Sequence, residues 1–177
     1  NNYAILDYYR SRGIDVETVK EHLKQVHYQV RTKGEDYHFF GVGIKNNSGG
    51  WDIRSTSGKT KLGTSDISEM GNPNADKIVV FEGMSDMLAF IQKGKDEGHT
   101  TEPNRLICLN SANNVHKFIE QFQDFKGKIY TCLDADEKGE TATRQIKQFF
   151  PSAIAFLMIA LNFSILDATT GDARYIG

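Results

Sequence analysis

The second half of the chain alternates short apolar runs with amphipathic segments, and this alternation constrains the fold more than any other feature. The apolar runs, which are rich in β-type residues, occupy residues 77–81, 106–109, 129–133 and 154–159, and the helical segments occupy 85–97, 115–125 and 139–150. Apolar strands separated by helices predict a parallel sheet that is covered on both faces. We therefore expect an α/β domain over residues 75–160.

Acidic residues follow two of these predicted strands. Glu82 comes directly after the first strand, and Asp134 and Asp136 come after the third. Sites in open parallel sheets form beyond the carboxyl ends of the strands, so we expect these carboxylates to share one crevice. Crowded carboxylates raise each other's pKa, and a divalent cation relieves that repulsion. Oxygen ligands without nearby His or Cys favour Mg²⁺ or Mn²⁺.

The first 74 residues have a different pattern. Helical spacing over 3–12 and 15–24 is followed by aromatic and β-branched runs at 27–31, 37–44 and 51–54, with a turn at 34–36. This pattern predicts a small α+β subdomain that ends at the linker around Pro73.

The last part of the chain, residues 161–177, is expected to be a tail. We predict that residues 154–158 form a core strand and that the apolar side chains of Phe163, Ile165 and Leu166 contact the sheet edge or a partner chain. A disordered tail is the alternative.

Positive charge is concentrated at one place in the first subdomain. Residues 53–65 contain Arg54, Lys59 and Lys61 and no acidic residue, whereas residues 76–177 are acidic overall. A basic stretch beside an acidic half suits a protein that binds a polyanion and holds cations next to it. A solvated loop with chance charges is the alternative interpretation.

Several classes of protein are excluded or disfavoured. The longest apolar run has nine residues, 153–161, which is far short of the roughly 20 that a membrane helix needs. No secretory signal is visible, and Cys108 and Cys132 both lie in apolar runs, as buried thiols of a cytoplasmic protein do. No Cys-x-x-Cys pair is present, which disfavours a structural zinc site.

Two motifs connect these features to a known fold. The sequence IVVFEGMSD at residues 78–86 and the sequence YTCLDADEKG at residues 130–139 resemble the two signature motifs of the Toprim fold. Primases of the bacterial type, topoisomerases, certain nucleases and recombination mediators share that fold. The sequence LNSAN at 109–113, together with YYRSRGI at 8–14 and the segments 37–55 and 59–68, resembles the primase-like Toprim proteins of phages and mobile elements.

The resemblance implies roles for individual residues. Glu82 would be a catalytic acid/base or metal-linked carboxylate, Asp134 and Asp136 would be catalytic metal ligands, and Asp86 would be a further acid of the metal site that supports the Glu82 loop. Gly83 and Gly139 would allow close approach of the backbone. The expected nucleic-acid or nucleotide contacts are Arg54, Lys59, Lys61, Asn110, Asn113 and Lys138; for Asn110 and Asn113 a simple role in a turn is equally open.

The implied function is that of a DNA primase core: metal-dependent nucleotidyl transfer with single-stranded DNA, nucleoside triphosphates and a replicative helicase as partners. A Toprim nuclease and a non-catalytic DNA-binding or recombination-mediator module are the alternatives. Such primases usually carry an upstream zinc module, and because the chain begins with Asn we expect it to be part of a longer protein. The segment after Phe150 departs from the polar, acidic ending usual in the family.

Overall fold

The computed structural model describes residues 3–55, 58–99 and 104–156. The chain divides into two compact units, Asn1–Ser65 and Asp66–Gly177. Among the described residues, none of the helices has the length and apolar character needed to cross a bilayer.

The N-terminal unit consists of two helices followed by an antiparallel sheet. Helices α1 (Tyr3–Ser11) and α2 (Val16–His22) precede strands β1 (Lys24–Thr32), β2 (Glu35–Lys45), β3 (Trp51–Ser55) and β4 (Gly58–Leu62), which pair in sequence order. Of the apolar residues whose spacing predicts these helices, Tyr9, Ile14, Val19 and Leu23 are buried, whereas Tyr3 is 63% exposed; Ile5 is buried as well.

The hairpin between β1 and β2 has a two-residue turn, which is tighter than the predicted turn at 34–36. Lys33 and Gly34 both have positive φ, at 53° and 85°. Two consecutive positive φ values characterise the type I′ turn, whose twist matches that of the flanking strands. Next to the turn, the Arg31 guanidinium donates two hydrogen bonds to the Asp36 carboxylate, at 2.6 and 2.8 Å.

Strand β4 is absent from the sequence prediction. It is a short edge strand in which Lys59 and Lys61 alternate with Thr60 and Leu62, so its pattern is weakly apolar. Lysine on an edge strand discourages pairing with other chains. Because the same lysines interrupt the apolar pattern, the strand is not recognised from the sequence. The basic stretch is therefore part of a β-hairpin.

The C-terminal unit is the predicted α/β domain. Strands β6 (Lys77–Phe81), β7 (Arg105–Cys108), β8 (Lys128–Cys132) and β9 (Ile154–Ala155) are parallel, and β5 (Ser68–Gly71) is antiparallel to β7. The strand order is β5-β7-β6-β8-β9. Helices α3 (Met84–Asp96), α4 (Val115–Phe122) and α5 (Glu137–Phe149) follow β6, β7 and β8, and a short 3₁₀ helix, Ala112–Asn114, precedes α4.

The boundary between the units differs from the predicted boundary after residue 74. Strand β5 lies in the second sheet, where Ser68 is paired with Cys108 and Gly71 with Arg105. An ion pair between Arg105 and Glu69, at 2.6 Å, joins the same two strands. The linker residues around Pro73 therefore connect two strands of one unit, and the division falls after Ser65.

The predicted fourth parallel strand is present at Ile154–Ala155, next to β8, but its prediction as a core strand is wrong for these two residues, because both are exposed and Ile154 keeps 44% of its surface accessible. The remainder of that prediction, together with the predicted contacts of Phe163, Ile165 and Leu166 and the tail at 161–177, lies outside the described residues.

The core of the C-terminal unit forms around β6, where residues 78–81 are fully buried. On one face of the sheet, Phe118 packs against Phe122 and Phe150, with ring centroids 5.1 and 6.0 Å away. Burial of this aromatic group fixes α4 and α5 over the sheet and thereby positions the loop before α5, which carries Asp134 and Asp136.

Phe118→Ala is expected to lower the free energy of unfolding by about 3–5 kcal/mol, because it opens a cavity at a site with 0% exposure. Phe149→Ala is the matched control, since Phe149 is 51% exposed, and its effect should be markedly smaller. Urea denaturation followed by circular dichroism measures both. Equal losses in the two variants would contradict this description of the core.

Candidate functional site

Glu82 and Asp134 emerge from neighbouring parallel strands. Strands β6 and β8 pair in register, with Phe81 beside Cys132, so the loops that follow the two strands leave the sheet side by side. Glu82 is half-buried directly after β6, and Asp134 is exposed two residues after β8. The structure thus places both acids at the same edge of the sheet, as parallel strands require.

Asp86 lies in the first turn of α3 and faces the end of β8. Burial first, and the negative charge of Asp86 second, raise the pKa of the Cys132 thiol to about 12. The Asp86 carboxylate also folds back toward Gly83, where an added Cβ would lie 3.0 Å from Oδ2. A side chain at position 83 would therefore push Asp86 away from the strand ends.

Gly139 permits a second close approach. A Cβ at this position would collide with the carbonyl oxygen of Asp134 and would also crowd its carbonyl carbon and amide nitrogen. The first turn of α5 therefore rests directly on the backbone that carries Asp134. Absence of a side chain at residue 139 sets the path of the loop between β8 and α5.

Asp136 is the N-cap of α5. Its Oδ1 accepts hydrogen bonds from the amides of Lys138 and Gly139, at 3.0 and 2.9 Å. These amides belong to the first turn of the helix, which has no internal acceptors for them. Sequence reasoning missed this role, although an Asp directly before a helix that begins with an acidic turn is a recognised capping signal.

The two asparagines have separate environments. Asn110 is 2% exposed and has a left-handed backbone with φ of 60°. Its amide nitrogen donates to the carbonyl of Asp66 and to Ser68 Oγ, at 2.9 and 2.8 Å, and its Oδ1 accepts from the Cys108 thiol. These bonds give Asn110 a structural role: it ties the start of β5 to the end of β7.

Asn113 is exposed and lines a cavity of about 550 Å³ between α4 and α5. Lys138 lines the same cavity, together with residues that the sequence did not single out. These residues include His116, Glu137, Thr141 and Gln145. The cavity therefore joins two of the predicted nucleotide contacts and leaves Asn110 out.

Residues 79–166 match the protein family described as Toprim-like. The chain contains a Toprim-like domain. Residues 1–63, which form most of the N-terminal unit, match a domain of unknown function, DUF8464.

A curated relative matches part of this chain. The uncharacterized protein YusF of Bacillus subtilis is 32% identical over 91 residues, which are 51% of this chain and 58% of that protein. The match thus spans little more than half the length of the curated relative.

Two solved structures share the fold. The primase fragment of the bacteriophage T7 primase-helicase protein gives a TM-score of 0.54 at 21% identity, covering 84% of this chain and 62% of that one. The Aquifex aeolicus primase, with its zinc-binding and RNA polymerase domains, gives 0.54 at 16% identity, covering 85% of this chain and 48% of that one.

The side chains at the strand ends of the Toprim-like domain are chemically suited to a hard divalent cation. Glu82, Asp86 and Asp134 offer carboxylate oxygen, and the nearby Cys132 stays protonated because of its raised pKa, so it provides no thiolate ligand. Over the described ranges, however, no three His, Cys, Asp or Glu side chains converge closely enough to hold a metal ion. The oxygen donors are thus arranged along one edge without forming a closed cage.

The three basic residues of the stretch 53–65 share one face of the N-terminal sheet. Arg54 on β3 is paired with Lys59 on β4, and Lys61 lies two residues further along. Asp52, which sequence reasoning missed, is 1% exposed on the same face, with Oδ1 at 3.5 Å from Lys61 Nζ. Burial raises the pKa of Asp52, and Lys61 counteracts part of that shift.

Asp136→Ala should lower the free energy of unfolding by about 1 kcal/mol, because two amides of α5 lose their acceptor. Asp136→Asn is the matched variant: it keeps an acceptor oxygen and should stay close to the wild type. Thermal unfolding of both variants tests this role. An Asp136→Ala protein as stable as the wild type would disprove the cap.

Asp52 is expected to make the unfolding free energy fall as pH rises. Its pKa is raised in the folded state, so the folded protein holds a proton that the unfolded chain releases above its ordinary value of 3.8. Relative to Asp52→Asn, the wild type should therefore lose stability as pH rises from about 4 through the folded-state pKa.

Asp36→Asn provides a control of opposite sign. The hydrogen bond from Arg31 lowers the pKa of Asp36, so its contribution to stability is lost as pH falls. Urea titrations at a series of pH values compare the three proteins. A difference between the wild type and Asp52→Asn that does not change with pH would contradict the assignment for Asp52.

Proposed function

We propose that this chain is the catalytic core of a DNA primase, which makes primers on single-stranded DNA by nucleotidyl transfer. In this reaction a primer 3′-hydroxyl attacks the α-phosphate of an incoming nucleotide and pyrophosphate leaves. The observation that carries the proposal is the placement of Glu82 and Asp134 at the ends of two hydrogen-bonded parallel strands.

The order of the two units supports primase over other Toprim proteins. The fold likeness to the phage and bacterial primase structures covers 84% and 85% of this chain, which is more than the C-terminal unit alone supplies. It therefore includes part of the antiparallel unit that precedes the Toprim-like domain.

Glu82 and Asp134, with Asp86 beside them and the second oxygen of Asp136, would hold Mg²⁺ or Mn²⁺. The cation would supply positive charge that binds the triphosphate and stabilises the charge developing on it. Asn113 and Lys138 would contact the nucleotide from the cavity between α4 and α5. The basic face of the N-terminal sheet would contact the template.

The partners follow from the reaction. Single-stranded DNA and nucleoside triphosphates are its substrates, and a replicative helicase would be a protein partner. The T7 primase domains have been seen with a lagging-strand DNA polymerase, an RNA/DNA hybrid and dTTP. For this chain we infer a cytoplasmic site of action.

Primer synthesis by the full chain is the direct test. Single-stranded DNA, labelled ribonucleotides and Mg²⁺ or Mn²⁺ should give short labelled products. Asp134→Asn or Glu82→Gln should reduce their yield by about 100-fold or more, because each change removes charge stabilisation from the reacting phosphates.

Glu140→Gln is the matched control, since Glu140 is an exposed acid on α5, outside the two motifs. It should retain synthesis. Cleavage of the DNA without synthesis would instead identify a nuclease and overturn the primase proposal.

A second candidate is a module that binds nucleic acid without catalysis. Two observations favour it: Asp136 is occupied as a helix cap, and the acids in the described part of the chain do not close around a metal position. Calorimetric titration with Mn²⁺ separates the candidates. Binding that is lost in Asp134→Asn supports the enzyme, and no binding to the wild type supports the module.

A further inference from the structure

The β1–β2 hairpin extends beyond the rest of the N-terminal sheet. Strand β3 pairs with β2 only from Val42 to Lys45, whereas β1 and β2 remain paired as far as Thr32 and Glu35. Residues 27–32 and 35–40 therefore form a two-stranded ribbon. Nearly all of its side chains are exposed, which is unusual for a segment this rich in aromatic residues.

The two faces of this ribbon have different chemistry. Paired residues share a face in an antiparallel ladder, and the face alternates along each strand. One face of the ribbon carries Tyr28, Phe39, Val30 and Tyr37, and no cationic side chain lies on that face. The opposite face carries His27 paired with Phe40, and Gln29 paired with His38.

We name this second surface the Phe40 face; it consists of His27, Gln29, His38 and Phe40 on the ribbon and of Arg54, Lys59 and Lys61 on β3 and β4. The ladder connects its two parts: Phe40 lies two residues before Val42, which is paired with Arg54, which is paired with Lys59. The cations thus lie close to the aromatic pair: they are two residues further along the ladder, with Arg54 one strand away from Phe40 and Lys59 two strands away.

The charges on the Phe40 face are unbalanced. Arg31 on the ribbon is neutralised by Asp36, and Lys61 is next to the buried Asp52. Among the described residues, Arg54 and Lys59 form no ion pair, although the charge of Lys59 also acts on the buried Asp52. This face therefore offers positive charge beside exposed rings.

We propose that the Phe40 face binds single-stranded nucleic acid, with bases stacked on Phe40 and His27 and phosphates on Arg54 and Lys59. The inference rests on the proposed function for its choice of a single strand as ligand. Phe40 is 45% exposed, and its ring is inclined at 24° to that of His27 with centroids 5.9 Å apart. Two nearly parallel rings next to cations match the combination that binds single strands without reading sequence.

The chemistry of the face favours a single strand over the alternatives. A protein partner would bury the Tyr28–Phe39 face more readily, since rings and Val30 dominate that surface and its charged side chain, Glu35, is an anion that repels phosphate. Bases within a duplex are already stacked on each other and cannot reach side-chain rings. A single strand alone presents open base faces and a polyanionic backbone together.

Binding of a fluorescent oligothymidylate to the full chain tests the proposal, in EDTA and without nucleotides. Phe40→Ala should weaken binding by about 5- to 150-fold, and the salt dependence of binding should be unchanged. Lys59→Gln should weaken it and reduce the slope of log affinity against log salt by about 0.7. Because no metal or catalysis is involved, failure here leaves nucleotidyl transfer untouched, and inactive enzyme leaves this result untouched.

The controls separate stacking from folding and from general hydrophobicity. Phe39→Ala removes a ring of the same kind from the opposite face and should leave affinity within about twofold of the wild type. Phe40→Trp should retain binding, with fluorescence quenched by the bases, while Phe40→Leu, which keeps apolar surface without a π-face, should lose it. Equal losses for Phe39→Ala and Phe40→Ala, or full affinity for Phe40→Leu, would overturn the proposal.

Discussion

The double pairing of β6 determines where the chemistry of this molecule can be. This strand is hydrogen-bonded to β7 on one side and to β8 on the other, both parallel to it, and residues 78–81 are fully buried. Because its neighbours run in the same direction, every loop that leaves their carboxyl ends emerges at one edge. Glu82 is therefore brought beside Asp134 by the backbone pairing, across about fifty residues of sequence, before any side chain contributes.

Small residues then set the finer geometry at that edge. Gly139 lets the first turn of α5 rest on the main chain at Asp134, and Gly83 leaves room for the Asp86 carboxylate. Asp136 has a double requirement, because the helix uses one of its oxygens as a cap while the proposed reaction needs the carboxylate for a cation. A capping carboxylate is held in a fixed orientation, and this restricts which way its second oxygen can point.

Sequence reasoning recovers those parts of the structure that depend on strong hydrophobic patterns. The parallel strands and their helices follow from continuous apolar runs and helical periodicity, and the acids at the strand ends follow from their order. Strands β4 and β5 escape this reasoning because they are short, at five and four residues, and mostly polar or half-buried. Missing β5 also misplaces the domain boundary, since only its pairing with β7 assigns it to the second unit. The roles of Asn110 and Asp52 depend on contacts distant in sequence, which a local pattern does not contain.

The turn at Lys33 and Gly34 has a consequence for the surface of the ribbon. In a β-ladder, a shift of register by a single residue moves each side chain to the opposite face. The two-residue turn, reinforced by the Arg31–Asp36 pair, holds the register in which His27, and not Tyr28, is paired with Phe40. The pairing of β2 with β3 places Phe40 on the side of Arg54 and Lys59, so insertion of one residue at the turn would turn the side chains of β1 to the opposite face and remove His27 from Phe40. One tight turn thus decides which ring of β1 stacks on the phenylalanine next to positive charge.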